Sequence, residues 1–197
     1  MTYQPLPLAC DPQRLSGLSE KLVVSHYENN YCGAVRRLNI ASEQIQQLNW
    51  SGAPAYLVNG LKREQLLTYN SMVLHELYFD GLGESGRPPA PLLSALERDF
   101  GSFDRWSAEF AATGKSMPGT GWVLLAYCPR ERRLLNQWAS DHTQALAGAT
   151  PILAMDVYEH SYHIDYGAKA AADVDAYMQN IRWNHVATRL ASCVTPS

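Results

Sequence analysis

Several kinds of segment are missing from this chain of 197 residues, and each absence excludes a class of protein. No apolar run approaches the ~20 residues that a membrane-spanning helix needs, so a transmembrane protein is excluded. The first residues contain no basic stretch followed by an apolar core, so no secretory signal is expected. No block of lysine and arginine occurs and the net charge is −3, so a binding track for nucleic-acid phosphates is not expected.

Cysteine is scarce, and its spacing excludes two further kinds of site. The four cysteines, at positions 10, 32, 128 and 193, form no Cys-x-x-Cys pair, so the chain has neither a thioredoxin-type motif nor a zinc ribbon. We interpret them as reduced thiols of a cytoplasmic protein. What the chain does contain is apolar surface: 46% of its residues are hydrophobic, which supplies a core and excludes intrinsic disorder.

The chain divides into two parts at residues 81–91, where glycine and proline crowd together and no regular element persists. Before this break, positions within 22–34 and within 67–78 repeat at three- or four-residue spacing, which predicts two helices. The sequence Ser-Gly-Ala-Pro at residues 51–54 separates the two patterns. We therefore expect an antiparallel helical hairpin.

Helical patterning returns after the break, at residues 92–113 and again at 173–191. Between them, three short apolar or alternating runs predict strands: residues 122–127, 133–138 and 152–156. Three residues are expected to delimit helices: Ser19 and Asp104 as N-caps, and Gly81 as a stop. The predicted fold is α+β, with an N-terminal helical hairpin domain (1–86) followed by a C-terminal α/β half (87–197) built around a small three-stranded antiparallel sheet.

The placement of four side chains points to a metal site. His26 lies on one face of the first predicted helix, and His75 lies on the matching face of the second. Asp156 and His160 follow at the end of a predicted strand, four residues apart. One carboxylate and three imidazoles suit manganese or iron better than a closed structural zinc site. We interpret this set as a candidate redox centre.

These residues lie in segments that resemble the iron/manganese superoxide dismutases over nearly the whole chain. The most specific segment, DVYEHSYHIDYG at residues 156–167, is similar to the family pattern D-V-W-E-H-A-Y-x-x-x-Y. Four further segments match in order and at the family spacing: HYENNYCGAVRRLN (26–39), HELYF (75–79), GTGWVLLAY (119–127) and NIRWNHV (180–186).

The resemblance implies an activity and a cofactor. It implies a superoxide dismutase, which converts two superoxide anions to O₂ and H₂O₂ while a mononuclear ion alternates between its trivalent and divalent states. It also implies one iron or manganese ion per chain, with His26, His75, Asp156 and His160 as the ligands. In these expectations superoxide is the substrate, the chain is a cytoplasmic homodimer in oxidative-stress defence, and neither nucleic acid nor membrane is a partner.

The resemblance also assigns residues around the metal. His142 and Trp122 are implied to be catalytic. His142 is the expected partner of the solvent molecule at the metal, with Asp141 as the alternative. Trp122 further belongs to an aromatic shell with Tyr158 and Phe79, which both stand where the family usually has tryptophan.

Two residues flank the last ligand, and the resemblance places them at a subunit interface. Glu159 and Tyr162 lie on either side of His160 in sequence. In the family this glutamate hydrogen-bonds the partner subunit's His160, and such a bond fixes the tautomer of the imidazole. We therefore expect an isologous homodimer.

The sequence departs from the family pattern at the substrate funnel. Asn30 stands where the family usually has histidine, Ala34 where it has a gateway tyrosine, and Ala170 where it has arginine. Helical spacing places neither Tyr27 nor Tyr31 in the direction of Ala34. Because these three positions usually guide the anion and relay protons, we expect reduced turnover, and losing a proton-transfer group typically lowers a rate by ~10²–10⁴-fold.

Two functions are consistent with this pattern. The first is a dismutase with an altered entrance. The alternative is a superoxide-dismutase-like metal-binding stress protein, linked to chromate resistance, with weak or no turnover. Arg36 and Arg37 are interpreted as a solvated face rather than as a source of positive potential, and no role is assigned to His163 or His185.

Overall fold

Two long helical segments form the N-terminal part of the computed structural model, which describes residues 2–83 and 86–194. The first segment comprises α1 (Glu20–Ser25), a π-helical segment (His26–Tyr31) and α2 (Cys32–Gln47), and the second is α3 (Ala55–Gly81). His26 faces His75, and Arg37 hydrogen-bonds Glu64, so the two segments run antiparallel. The predicted helical hairpin is confirmed.

The ends of this hairpin are where the sequence places them. The Ser19 side chain accepts a hydrogen bond from the backbone N–H of Leu22 and so caps α1, and α3 ends at Gly81. The π-helical segment between α1 and α2 was not predicted, because a hydrophobic period near four does not distinguish an α-helix from a short π-helical insertion.

The next region contains two helices, α4 (Ala90–Phe100) and α5 (Phe103–Lys115). They are separated at Gly101, which has a φ of +90° that favours glycine. The prediction of Asp104 as an N-cap is wrong: Ser102 is the cap, since its side chain accepts from the backbone N–H of Arg105. Asp104 lies in the first turn instead, where a carboxylate favours the helix dipole. Glu84 and Ser85, inside the predicted break, lie outside the described residues.

A three-stranded antiparallel sheet follows, and it confirms the predicted α+β fold. Its strands are β1 (Trp122–Cys128), β2 (Arg133–Ala139) and β3 (Thr150–Asp156), in the order β2-β1-β3. All of β1 is buried, because it is the central strand and helices pack against the sheet. Trp122 at the start of β1 pairs with Asp156 at the end of β3, which places these two side-chain positions together.

The C-terminal region is helical but not continuous. It contains α6 (His163–Tyr166), α7 (Ala170–Met178) and α8 (Trp183–Val194). The expectation of one helix over 173–191 is therefore wrong between α7 and α8. There the backbone pairs with the end of α3 instead: Arg182 N–H donates to Gly81 and Gly83 N–H donates to Asn180. Among the described residues, no helix is long and apolar enough to cross a membrane.

Candidate metal centre

Four elements of the fold each contribute one potential ligand. His26 begins the π-helical segment, His75 lies in α3, Asp156 is the last residue of β3, and His160 lies in the short turn Glu159–Ser161. The potential ligand atoms all lie within 4.8 Å of one another. His26, His75 and Asp156 are buried, and the His160 side chain remains 28% exposed, so one side of the cluster is closer to the surface.

The three imidazoles converge on one carboxylate oxygen. The Oδ2 atom of Asp156 lies 3.1 Å from Nε2 of His160, 3.2 Å from Nε2 of His26 and 3.6 Å from Nε2 of His75. Nε2 of His26 and Nε2 of His75 are buried and have no hydrogen-bond partner among the described residues. An unsatisfied buried polar atom costs about 1–3 kcal/mol, and a metal ion would bind both nitrogens. The donor set therefore fits an iron or manganese ion.

Hydrogen bonds around the cluster hold the donors in place. The Nδ1–H of His75 donates to the carbonyl oxygen of Ser71 at 2.6 Å, which leaves the lone pair of the ring on Nε2. The Oδ1 atom of Asp156 accepts from the backbone N–H of Tyr158 at 2.8 Å, so Oδ2 is free to face the imidazoles. Each of these two ligands thus presents a defined atom to the centre of the cluster.

Burial and charge shift the pKa values of these groups in opposite directions. Burial lowers the pKa of His26, and it lowers the pKa of His75 to about 3. Burial alone would raise the pKa of Asp156, but the charge and hydrogen bond of His160, together with the nearby His26, hold this pKa well below its usual range. Burial acts against protonation of His160, yet the Asp156 carboxylate raises the pKa of this imidazole. The buried anion thus favours a positive charge beside it, which a bound cation would supply.

Aromatic rings enclose the cluster. The Phe79 ring lies 5.0 Å from His26, the Trp122 ring lies 5.1 Å from His75, and the Tyr158 ring stacks on His160 at 5.3 Å (distances between ring centroids). The structure therefore brings together the three aromatic residues of the expected shell. Rings of this size exclude water and strengthen the electrostatic interactions inside the site.

His142, rather than Asp141, approaches the cluster. The His142 ring lies 6.2 Å from His75 and 5.7 Å from Trp122, and its Nε2 is buried without a partner among the described residues. The Asp141 carboxylate is turned away, since it accepts hydrogen bonds from the backbone N–H and the hydroxyl of Thr143. Of the two alternatives left open by the sequence, His142 has the geometry to act at the site.

A cavity of about 210 Å³ connects the cluster to the surface. It is lined by residues of the first helical segment, of α3 and of the site itself: Asn29, Asn30, Gly33, Ala34, Arg37, Leu67, Thr68, Ser71, His75, His142 and His160. Two of the three altered funnel positions, Asn30 and Ala34, line this cavity. The third, Ala170, begins α7 and is not one of the described residues that line it.

The two tyrosines of the first helical segment do not direct their hydroxyls into this cavity. The Tyr27 hydroxyl donates to the carbonyl oxygen of Leu6 at 2.8 Å. The Tyr31 hydroxyl accepts from the backbone N–H of Leu6 and donates to Glu76. Both hydroxyls are thus bonded to groups outside the cavity.

Arg37 and the hydroxyl of Tyr158 both lie closer to the site than the sequence pattern predicts. Arg37 lines the cavity instead of belonging only to a solvated face. α-Helical periodicity could not indicate this position, because the π-helical segment between His26 and Arg37 changes which residues share a side of the helix. The Tyr158 hydroxyl lies 3.0 Å from Nδ1 of His142, a contact between distant segments that no local pattern indicates.

Of the remaining residues named from the sequence, two flank His160 in the chain and two are not part of the cluster. Glu159 is exposed next to His160, and Tyr162 is buried. His163 is exposed, and His185 accepts a hydrogen bond from Arg189 at 2.8 Å, which is a local contact outside the site.

The amino-acid sequence is similar to that of named superoxide dismutases along almost its whole length. The family described as iron/manganese superoxide dismutases, C-terminal domain, matches residues 88–189. The chain is 60% identical to superoxide dismutase (Fe) of Cupriavidus metallidurans over 98% of this chain and 99% of that protein. It is 33% identical to superoxide dismutase (Fe) of Aquifex pyrophilus, over 90% and 86% of the two chains. It is 32% identical to superoxide dismutase (Mn) 1 of Halobacterium salinarum, over 95% and 94%.

Proposed function

This chain belongs to the iron/manganese superoxide dismutases, and on that premise we propose that His26, His75, Asp156 and His160 hold its metal ion. The chain is a superoxide dismutase that converts two superoxide anions to O₂ and H₂O₂, with iron or manganese as cofactor. The observation that carries the assignment of the ligands is the buried carboxylate surrounded by three imidazoles, two of which have an unsatisfied Nε2.

The charge and the hydrogen bonds of the proposed ligands suit a trivalent or divalent ion. When bound, iron or manganese supplies the one-electron couple by which one superoxide is oxidised to O₂ and a second is reduced to H₂O₂. Asp156 contributes one negative charge, and the neutral imidazoles contribute none, so the loaded site keeps a net positive charge that attracts an anion. The Ser71 carbonyl holds His75 in the tautomer that binds through Nε2.

His142 and Trp122 complete the proposed catalytic group. Reduction of the second superoxide consumes two protons, so a group that holds a proton beside the reacting oxygen raises the rate. His142 is suited to this, because its buried Nε2 lacks a partner among the described residues and its ring lies beside His75. Trp122 is fully buried and packs against both rings, so it fixes their positions and excludes water.

We propose that Arg37 attracts superoxide into the cavity and so performs part of the role that the residues of the altered funnel usually have. It lines the cavity that leads to His75 and His160, whereas Ala170 does not. Its guanidinium is also hydrogen-bonded to the Glu64 carboxylate, which holds the guanidinium near the mouth and offsets part of its charge. A cation there raises the encounter rate of a small anion.

The enzyme is proposed to be a homodimer in which the second copy of the chain binds on the exposed side of His160. The His160 side chain is 28% exposed in the single chain, and the exposed Glu159 stands next to it. A carboxylate from a partner would fix the imidazole and raise its basicity. We expect Glu159→Gln to weaken the dimer in sedimentation equilibrium by about tenfold or more, whereas the exposed control Glu43→Gln leaves it unchanged. A monomeric parent protein would contradict the proposal.

We further propose a cytoplasmic location, a role in defence against superoxide, and the division into domains 1–86 and 87–197. The four free cysteines support the location, because thiols stay reduced in such a compartment. Cell fractionation, and the superoxide sensitivity of a deletion strain, test the first two proposals. Separate expression of the two segments tests the third.

The metal content and the rate of superoxide decay test the function together. We expect about one iron or manganese ion per chain by elemental analysis and catalytic decay of superoxide in pulse radiolysis of the same sample. His75→Gln should lose both properties, and the exposed control His163→Gln should keep both. A loaded protein that transfers one electron without turnover would instead support the metal-binding stress protein.

A further inference from the structure

Tyr158 and His142 form a hydrogen-bonded pair beside the metal centre. The hydroxyl oxygen of Tyr158 lies 3.0 Å from Nδ1 of His142, and the two ring centroids are 5.0 Å apart. The other ring nitrogen, Nε2, is buried and has no partner among the described residues. The phenol therefore engages one nitrogen of His142 and leaves the second one for another group.

The chemistry of imidazole links the states of the two nitrogens. A neutral ring carries its proton on one nitrogen and a lone pair on the other. In one of the two neutral tautomers of His142, the Tyr158 O–H donates to Nδ1. Nδ1 then supplies the lone pair, and the proton of the ring resides on Nε2.

Both members of the pair are held in position by further contacts. The Asn70 side-chain amide donates to the backbone carbonyl of His142 at 2.6 Å. The Tyr158 ring stacks on His160 with an angle of 10° between the planes, and its backbone N–H donates to Asp156. The hydroxyl thus stands at a fixed distance from the ligands as well as from His142.

We propose that Tyr158 is a positioning residue that keeps His142 in its Nε2–H tautomer, as a hydrogen-bond donor to superoxide or water at the metal. The inference rests on the proposed role of His142. Tyr158 also supplies a phenol to this network from the segment that follows β3. The first helical segment supplies none, because Ala34 has no hydroxyl and its two tyrosine hydroxyls are bonded elsewhere.

Nitrogen-15 NMR of the histidine rings tests the tautomer directly. The probe is the full chain loaded with Zn²⁺, which is diamagnetic and so leaves the signals of the site visible. In the parent protein we expect a protonated Nε2 and an unprotonated Nδ1 for His142. A proton on Nδ1 in the parent protein overturns the proposal without the need for any variant.

The variant Tyr158→Phe removes only the hydroxyl. We expect the Nδ1–H form of His142 to become about fivefold more populated, and turnover of the iron- or manganese-loaded protein to fall about tenfold at unchanged metal content. The matched control is Tyr177→Phe, which removes a buried hydroxyl bonded to the carbonyl of Ala154 and should leave the tautomer unchanged. An unchanged tautomer in Tyr158→Phe contradicts the proposal.

A double mutant separates this inference from the proposed role of His142. We expect Tyr158→Phe to cause no further loss of turnover in a His142→Ala background, because Tyr158 acts through His142. If His142→Ala alone keeps full turnover, the proposed role of His142 fails. If His142→Ala loses turnover while Tyr158→Phe leaves both tautomer and turnover unchanged, only the inference about Tyr158 fails.

Discussion

Individual atoms decide what this site can bind. Hydrogen bonds occupy Nδ1 of His75 and Oδ1 of Asp156, and this leaves Nε2 and Oδ2 as the atoms that face the cluster. The same residues with the opposite tautomer or rotamer would present no coherent set of ligands. The sequence names the residues, and the structure shows which atom of each side chain is free to bind.

The charge of Arg37 should act on the encounter of enzyme and substrate. Arg37→Gln is expected to lower the rate constant for superoxide by about two- to fivefold at low ionic strength, because a positive potential at the cavity mouth attracts the anion. The difference should shrink as salt screens the charge. Pulse radiolysis over a range of salt concentrations measures both effects.

The neighbouring Arg36→Gln is the matched control, since Arg36 does not belong to the described lining of the cavity. Equal losses in the two variants would point to net charge alone and contradict a local role of Arg37.

Asp173 should make stability depend on pH. It is 3% exposed, and its Oδ1 has no partner among the described residues. Burial, together with the charges of Asp156 and Asp165, raises its pKa to about 8. Since an unfolded aspartate titrates near pH 3.9, this group favours folding fully below that pH, and the contribution is lost as the pH rises to about 8.

The variant Asp173→Asn stays neutral and should remove this loss. Its advantage in free energy of unfolding over the parent should grow with pH between 5 and 8, by up to about 1.4 kcal/mol per pH unit. Urea denaturation at several pH values measures it. Asp175→Asn, at an exposed ion pair with Lys115, is the control and should shift stability by about 0–1 kcal/mol without this trend. A flat difference for Asp173→Asn would contradict the argument.

At the scale of secondary structure, the π-helical segment His26–Tyr31 sets the relative rotation of α1 and α2. It begins at a proposed ligand and leads into a helix whose Ala34 and Arg37 line the cavity. A π-helical turn contains an extra residue relative to an α-helical turn, and such turns are frequent at functional sites. The segment therefore lets His26 and the cavity wall face the same side.

Deleting Asn29 should convert this segment to α-helix and rotate α1 against α2 by about 100°. Because α1 is held by its packing and α2 by α3, His26 would leave the cluster, and metal content and turnover should fall at least tenfold. Elemental analysis checks the metal, and circular dichroism checks that helix content is retained. The substitution Asn29→Ala keeps the residue count and should keep the metal. If the deletion variant binds metal normally, the extra residue of the π-helical segment is not needed to place His26 in the cluster.

At the scale of the whole molecule, the proposed ion connects the helical hairpin to the sheet. Two proposed ligands come from the hairpin, and the other two come from the end of β3 and the turn after it. These segments are far apart in sequence, so the ion would act as a cross-link that exists only in the folded chain. Binding to the folded state alone stabilises it by mass action.

Removal of the metal should therefore lower the melting temperature. A free metal concentration of 100 times the Kd contributes about 2.7 kcal/mol, and a chelator should abolish that contribution. Thermal denaturation followed by circular dichroism, before and after chelation and after reloading with iron or manganese, measures the effect. The melting temperature of His75→Gln should not respond to the chelator. An equal response in that variant would place the stabilising metal elsewhere.

Local patterns of the sequence predicted much of the fold because the responsible interactions are local. The Ser19 cap and the end of α3 at Gly81 depend on neighbouring residues, and short apolar or alternating runs identified the strands. The Asp104 cap failed because Ser102, two residues earlier, already satisfies the first turn of α5. The break between α7 and α8 was missed because it depends on backbone pairing with the end of α3.

The sequence by itself determined the α+β class, and through its family resemblance it predicted the four donor residues and the altered funnel, because residue type and spacing carry that information. Only the tertiary structure decided that Oδ2 of Asp156 meets three imidazoles, that His142 rather than Asp141 enters the site, and that Arg37 lines the cavity. The Tyr158–His142 contact belongs to the second group. Each of these is a contact between elements, and its geometry depends on how helices and sheet pack, which no single segment of the sequence contains.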